Sequence, residues 1–334
     1  MKQMRKYIDR YLIQAMSSMA LGLFSSLIIG LILSQLAKIN FLSFLQPFAD
    51  VANASSPVIG SAIGVAIAYG LKVKPLVLFS MCIAGAFGYT AGGPVGAYVA
   101  AVIGSEIGLL AAGKTSVDII VTPIVSIVSG CLAGQLIGPA VSALMASLGT
   151  IINNATLMSP IPMGILIAVV VGMVLTAPIS SAALCIMLGL DGLAAGAAVV
   201  GCSAQMIGFA VMSYKENGFG GFISVGIGTS MLQFANIIRH PQIWIAPTLA
   251  SAILGPISTA VLKMSNTAVG AGMGTSGLVG QFSAFAAVPD GGATLLIQVV
   301  LMHFILPAIL TLIIHEITIK LGWVKSEYLK LEAL

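Results

Sequence analysis

Charge is scarce in this chain. Only 7% of its 334 side chains are charged, against about 25% in ordinary soluble domains, which excludes a conventional water-soluble globule and leaves an integral membrane protein. Histidine is scarcer still, with three residues, His240, His303 and His315. The four cysteines, Cys82, Cys131, Cys185 and Cys202, lie inside apolar runs without C-x-x-C spacing, so they read as small packing residues and not as a zinc or dithiol centre. No nucleophile and base stand at catalytic spacing, and no metal-ligand cluster is visible. The expectation is a non-enzyme without metal or cofactor. Basic residues occur as short flanking tails, which argues against a nucleic-acid partner.

Long apolar runs fill the space left by charge, and mean hydropathy is +1.09. Lys2, Arg5, Lys6, Asp9 and Arg10 crowd one end, while Lys320, Lys325, Glu327, Lys330 and Glu332 crowd the other. The first run, 12–36, exceeds the roughly 7–15 apolar residues of a signal peptide and reaches the roughly 20 needed to span a bilayer. It predicts a first transmembrane helix with a cytoplasmic N-terminus. Further candidate spans fall at about 55–71, 75–89, 94–112, 118–145, 160–177, 180–196, 198–213, 221–237, 243–263 and 293–315. Trp244 and Trp323, the two tryptophans, suit interfacial positions. The fold expected is an all-α, polytopic transmembrane protein of about 10–12 spans or re-entrant segments, forming a single membrane-embedded domain over 1–334.

A faint internal repeat runs through these segments. Ser55-Ser56-Pro57 matches Ser180-Ser181-Ala182, GYTAGGPVGAY (88–98) matches SYKENGFGGFI (213–223), VIGSEIG (102–108) matches GIGTSML (226–232), and VDIIVTPIV (117–125) matches PQIWIAPTL (241–249). Each pair is offset by 124 or 125 residues. Repeat 1 spans about 55–145 and repeat 2 about 180–262. Five candidate spans separate equivalent elements, so the second copy is expected to be inverted in the membrane, the arrangement of many secondary transporters. This threading places Lys72, Lys74, Lys114, Lys215 and Lys263 on the cytoplasmic side and leaves Arg239 as an exception.

The segment 264–290 contains GAGMGTSGLVGQ (270–281), whose Gly272, Gly274 and Gly277 fit G-x-G-x-x-G. A dinucleotide fingerprint needs a preceding strand within a βαβ unit, whereas these glycines follow an apolar helix. The alternatives are a Gly-rich re-entrant loop or broken helix facing a ligand, and close helix packing through small residues.

Taken together, GPVGAYVAAVIGSEIG, VDIIVTPIVSIVSG, LTAPISSAALCIMLGLDGLAAGAAVVGCSAQMIGFAVMSYKENG, TSMLQFANIIRHPQIWIAPTLASAILGP and GAGMGTSGLVGQ resemble the membrane-embedded IIC (EIIC-like) proteins of the bacterial phosphotransferase system. Within them the likeness is to the branch of perfringolysin O regulator-like proteins. The resemblance implies a sugar-permease fold in a bacterial plasma membrane and a homodimer. It also implies IIA and IIB partners as separate proteins, because no phosphocarrier domain is expected in this sequence and none of the three histidines suits that role. The branch name adds an alternative, a membrane sensor or regulator that responds to a metabolite and alters gene expression indirectly.

Intramembrane ionisable groups are functional candidates by default. Glu106, in VIGSEIGLL, is the foremost, either contacting solute or pairing structurally; its repeat partner is Ser230. Asp118 fits a helix start, and Asp191 and Asp290 fit turns. A sugar or related small polar solute calls for neutral donors and acceptors. Ser55 and Ser56 in one repeat, and Thr176, Ser180 and Ser181 in the other, stand at proline breaks. Gln205, Asn236, Asn266, Thr275, Ser276 and Gln281 complete the expected polar lining, with local bonding of each side chain to its own helix as the alternative. Trp244 offers a ring on which a sugar could stack.

Overall fold

The structure, a computed structural model, describes residues 7–53, 55–177 and 180–331. Among them regular structure is helical, apart from an isolated bridge between Gly192 and Asn266. Seven helical stretches among the described residues are long and apolar enough to cross a membrane. The chain is an all-α, multi-pass membrane protein. It divides into two compact units, one comprising residues up to Leu148 with Ile186–Leu188, the other Gly149–Cys185 and the chain from Gly189 onward.

In the first unit, α1 (Asp9–Leu36) packs antiparallel on α2 (Pro57–Gly70), with Ser18 beside Gly70 and Gly22 beside Ala62. The connection between them exposes Phe41, Phe44 and Phe48, aromatic side chains that suit the boundary between headgroups and acyl chains. The stretch Pro75–Ala111 is helical throughout except at Gly92 and Gly93. There the chain reverses, giving α3 (75–91) and α4 (94–111): Gly88 abuts Gly96 and Ala100, Met81 abuts Gly104, and Val77 abuts Gly108. Gly93 makes the reversal possible with φ 59° and ψ −152°, a region essentially confined to glycine. Lys74 Nζ donates to Ala112 O at 2.9 Å across the open end of this hairpin. The helix α5 (Asp118–Leu136) lies against both arms through Gly130 and Gly134, and the two units divide within α6 (Gly138–Met158).

The second unit is built around α9 (Gly192–Met212), buried over nearly its whole length. Around it pack α7 (Pro160–Thr176) and α12 (Pro241–Val261), the latter two meeting where Gly164 touches Gly255. The short helix α8 (Ser181–Leu188) follows α7. After α9 the chain reverses at Gly218, whose φ 61° and ψ −163° nearly duplicate those of Gly93. That reversal lies within α10 (Tyr214–Gly228), which is followed by α11 (Ser230–Arg239), inclined at 118° to it.

The candidate span 221–237 falls on this bent pair. Thr229 is extended, with φ −161° and ψ 137°, and caps the turn that starts α11. The ten residues of α11 rise only about 15 Å, half of a hydrocarbon core about 30 Å thick. Both ends of the pair are tied to one segment of the C-terminal tail: Asn217 Nδ2 donates to Leu329 O and Asn236 Nδ2 to Lys330 O, each at 2.9 Å. The two ends of the pair therefore lie together, which puts Arg239 at the same end of the unit as Lys215. The chain closes with α13 (Val279–Ala287) and α14 (Gly292–Lys320).

Candidate functional site

Irregular backbone inside a membrane protein must be satisfied by neighbouring groups or line a cavity. In the second unit three irregular stretches meet: the break after Thr176, the turn at Gly228-Thr229-Ser230, and the loop 270–278. The first begins where Ala177 turns extended; residues 178 and 179 lie outside the described residues. The chain resumes at Ser180, whose Oγ accepts from Ala183 N at 3.1 Å, and at Ser181, whose Oγ donates to Gly272 O at 2.6 Å. Gly272 lies so close to the start of α8 that a Cβ would stand 2.4 Å from Ser181 O. The glycines that resembled a nucleotide loop thus let a buried loop approach two helices.

The same loop holds the broken hairpin. Thr275 Oγ1 donates to Gly226 O at 2.5 Å, and Ser276 Oγ donates to Gly228 O at 2.8 Å. These carbonyls lie in the last turn of α10, where the break at Thr229 removes continuing helical donors. On the other side of that break, Ser230 Oγ and Thr176 Oγ1 pair at 2.9 Å. Thr176 Oγ1 also lies 3.4 Å from Gln205 Oε1. That oxygen accepts from Trp244 Nε1 at 2.9 Å, while Gln205 Nε2 donates to Thr248 Oγ1 at 3.3 Å.

The outcome is a polar seam. It begins at fully buried Gln205 and Thr176, passes through Ser230 and Thr275, also fully buried, and ends at exposed Gly228 and Gly277, beside partly exposed Ser276. It contains no formal charge, only hydroxyl, amide, indole and backbone groups, which exchange hydrogen bonds with a neutral polyol at little electrostatic cost. Among the described residues no group of three His, Cys, Asp or Glu side chains could hold a metal ion.

The sequence-predicted residues separate into four sets. Thr176, Ser180, Ser181, Gln205, Thr275 and Ser276 are joined in or beside the seam. Asn266 and Gln281 brace the Gly-rich loop: Asn266 Nδ2 donates to Gly280 O at 2.9 Å and Asn266 Oδ1 accepts from Thr267 N at 2.8 Å. Gln281 Nε2 lies 2.9 Å from His303 Nδ1, in a π-helical turn, Leu301–Ile305. Asn236 holds the tail, donating to Gln233 Oε1 at 2.8 Å as well as to Lys330 O. Ser55, Ser56 and Glu106 belong to the first unit. Ser55 N donates to Asn53 Oδ1 at 2.9 Å, and Ser56 caps α2 by accepting from Val58 N at 3.3 Å. Glu106 Oε1 accepts from Arg10 Nε at 2.7 Å and lies 2.6 Å from its terminal nitrogen.

Sequence reasoning missed Ser230 and Thr248; Trp244, read as an interfacial residue or a ring for a sugar to stack on, donates its indole N–H to Gln205. Ser230 was within reach, since it is the repeat partner of Glu106 and follows a Gly-x-Gly-Thr stretch. Thr248 carried no local signal that separates it from an ordinary helical threonine. Searches of curated proteins and of solved structures returned no match. The family described as "Phosphotransferase system, EIIC" matches residues 13–331, nearly the whole chain and both units. With that coverage, the chain belongs to the EIIC family of the phosphotransferase system.

Proposed function

We propose that this protein is a permease for a sugar or a related small polar metabolite, and that the seam in the second unit is where the solute binds. The observation that carries the reading is the convergence of three backbone breaks on a continuous set of neutral hydrogen-bonding groups. Such a set offers a carbohydrate matched donors and acceptors, and a hydroxyl of the solute can replace an internal bond such as that from Ser276 to Gly228. Thr176, Ser181, Gln205, Ser230, Thr275 and Ser276 carry recognition in this reading. Glu106, engaged by Arg10, serves the first unit and not the solute.

Transport then proceeds by alternating access between inverted halves. The shared backbone conformation of Gly93 and Gly218, 125 residues apart, supports the repeat. We place the protein in the bacterial plasma membrane with a cytoplasmic N-terminus, acting as a homodimer, with IIA and IIB components as separate partners where uptake is coupled to phosphorylation. Solute counterflow into proteoliposomes of the purified protein tests the reading. Saturable exchange of at least one sugar, lost in Gln205→Met and Ser276→Ala, is the expected result; absence of exchange for every solute that binds would contradict it.

A further inference from the structure

Among the described residues nine buried side-chain polar atoms have no hydrogen-bond partner, and seven of them are serine or threonine hydroxyls. The other two are Gln281 Oε1 and His303 Nε2. They belong to side chains already joined to each other, with Gln281 Nε2 2.9 Å from His303 Nδ1. His303 is fully buried and Gln281 is 7% exposed. A hydroxyl rotates to suit its surroundings, whereas an amide and an imidazole hold their polar atoms in fixed planes. Buried polar groups are almost always satisfied by protein, water or ligand, so this pair asks for a third member.

The pair itself states the chemistry of that member. With Gln281 Nε2 donating to Nδ1, the neutral ring carries its proton on Nε2, and the orphans are a carbonyl acceptor on Gln281 and an N–H donor on His303. Turning the amide over makes Nδ1–H the donor to Oε1 and leaves an amide donor and an imidazole acceptor. Either assignment leaves one donor and one acceptor, one on each side chain. A cation answers only the acceptor and an anion only the donor, but an O–H group answers both. Nor does the surrounding sequence favour an ion. Residues 192–212, 264–289 and 291–314, which supply α9, the Gly-rich segment with α13, and most of α14, contain no Asp, Glu, Lys or Arg. His303 stands in the π-helical turn Leu301–Ile305 of α14, a distortion that recurs at functional sites.

We propose that Gln281 and His303 form a buried binding site for neutral hydroxyl groups, supplied by water or by a polyol, and that the occupant ties α13 to α14. Water held in this way is part of the structure and costly to remove. The loop that grips α10 through Thr275 and Ser276 runs directly into α13, so the occupant steadies the footing of that loop. The site does not depend on which solute the seam takes.

Solid-state NMR of the full-length protein in phosphatidylcholine bilayers tests this, with isotopically labelled histidine as reporter. His240→Gln and His315→Gln each remove another ring from the spectrum and so assign His303. Magnetisation transfer from water protons to the His303 ring nitrogens is measured first, and then cross-peaks from those nitrogens to carbon-labelled glycerol. Transfer from water identifies a bound water, a glycerol cross-peak identifies a polyol hydroxyl, and either supports the site. The signal should fall in Gln281→Leu, which removes half of the pair. Should Gln281→Leu fail to fold, the parent spectra decide alone. Because water is one of the two sources, failure of every sugar to bind at the seam leaves a positive result here standing. No transfer from either source, or transfer left unchanged by Gln281→Leu, overturns the proposal.

Discussion

Gly218 and Gly220 stand two residues apart in α10, and a Cβ on either would meet no atom within 4 Å. They differ in backbone: Gly218 has φ 61° and ψ −163°, while Gly220 continues the helix. Substitution by alanine therefore separates conformational strain from crowding. Gly218→Ala forces an L-residue into a region that costs about 1–3 kcal/mol. Gly220→Ala should instead stabilise by about 0.5–1 kcal/mol, since glycine is that much worse than alanine inside a helix. The two variants are thus expected to differ by about 1.5–4 kcal/mol, with opposite signs relative to the parent. Apparent melting temperatures in one detergent at one scan rate read the difference, the fixed rate being needed because membrane proteins unfold irreversibly. Gly93→Ala, with φ 59° and no atom within 4 Å of its Cβ position, should follow Gly218→Ala. Equal melting temperatures for Gly218→Ala and Gly220→Ala would refute the hairpin geometry. That geometry also sets the seam, because α10 delivers the carbonyls of Gly226 and Gly228.

Other consequences can be measured in the same preparation. Gln205→Met keeps the volume but leaves the Trp244 indole without its acceptor, and should destabilise by about 1–2 kcal/mol, between the usual cost of an orphaned donor and the smaller values found inside membranes; an unchanged melting temperature would remove Gln205 from the network. Gly272→Ala drives a methyl group against the backbone of Ser181 and should cost about 1–3 kcal/mol, together with solute binding, whereas Gly228→Ala meets no atom and should cost less. Glu106 and Arg10 are about one-third exposed, so a double-mutant cycle with Glu106→Gln and Arg10→Gln should give a coupling of about 0.2–1 kcal/mol that declines with salt, and Glu106→Gln should leave solute binding intact. A loss of binding in Glu106→Gln would return that carboxylate to the solute site.

Much of the fold was legible because hydrophobicity and its interruptions are local properties. The runs 75–89 and 94–112, read as separate spans, announced α3 and α4. The bend within 221–237 was not legible for a physical reason: its composition suits a straight span, and the extended Thr229 and the distant tail contacts of Asn217 and Asn236 fold it into a bent pair. Polar candidates at the proline break, Thr176 and Ser181, and in the Gly-rich segment, Thr275 and Ser276, did come together, since broken backbone collects hydroxyl donors. Asn236 was as polar and is also buried, yet its tail partner lies 94 residues away, a pairing that no spacing reveals. The indole of Trp244 likewise finds its acceptor 39 residues earlier in the chain.

The most direct test of the central claim is ligand-dependent stabilisation of the purified protein across sugars, sugar acids and sugar phosphates, with Thr176→Val and Ser276→Ala beside the parent. A solute at 100 times its dissociation constant stabilises by about 2.7 kcal/mol. The account predicts that at least one neutral sugar produces a selective rise in melting temperature in the parent and in Glu106→Gln, and that the rise is lost in both seam variants. A rise that survives Thr176→Val and Ser276→Ala, or none with any sugar, would contradict a sugar site at the seam.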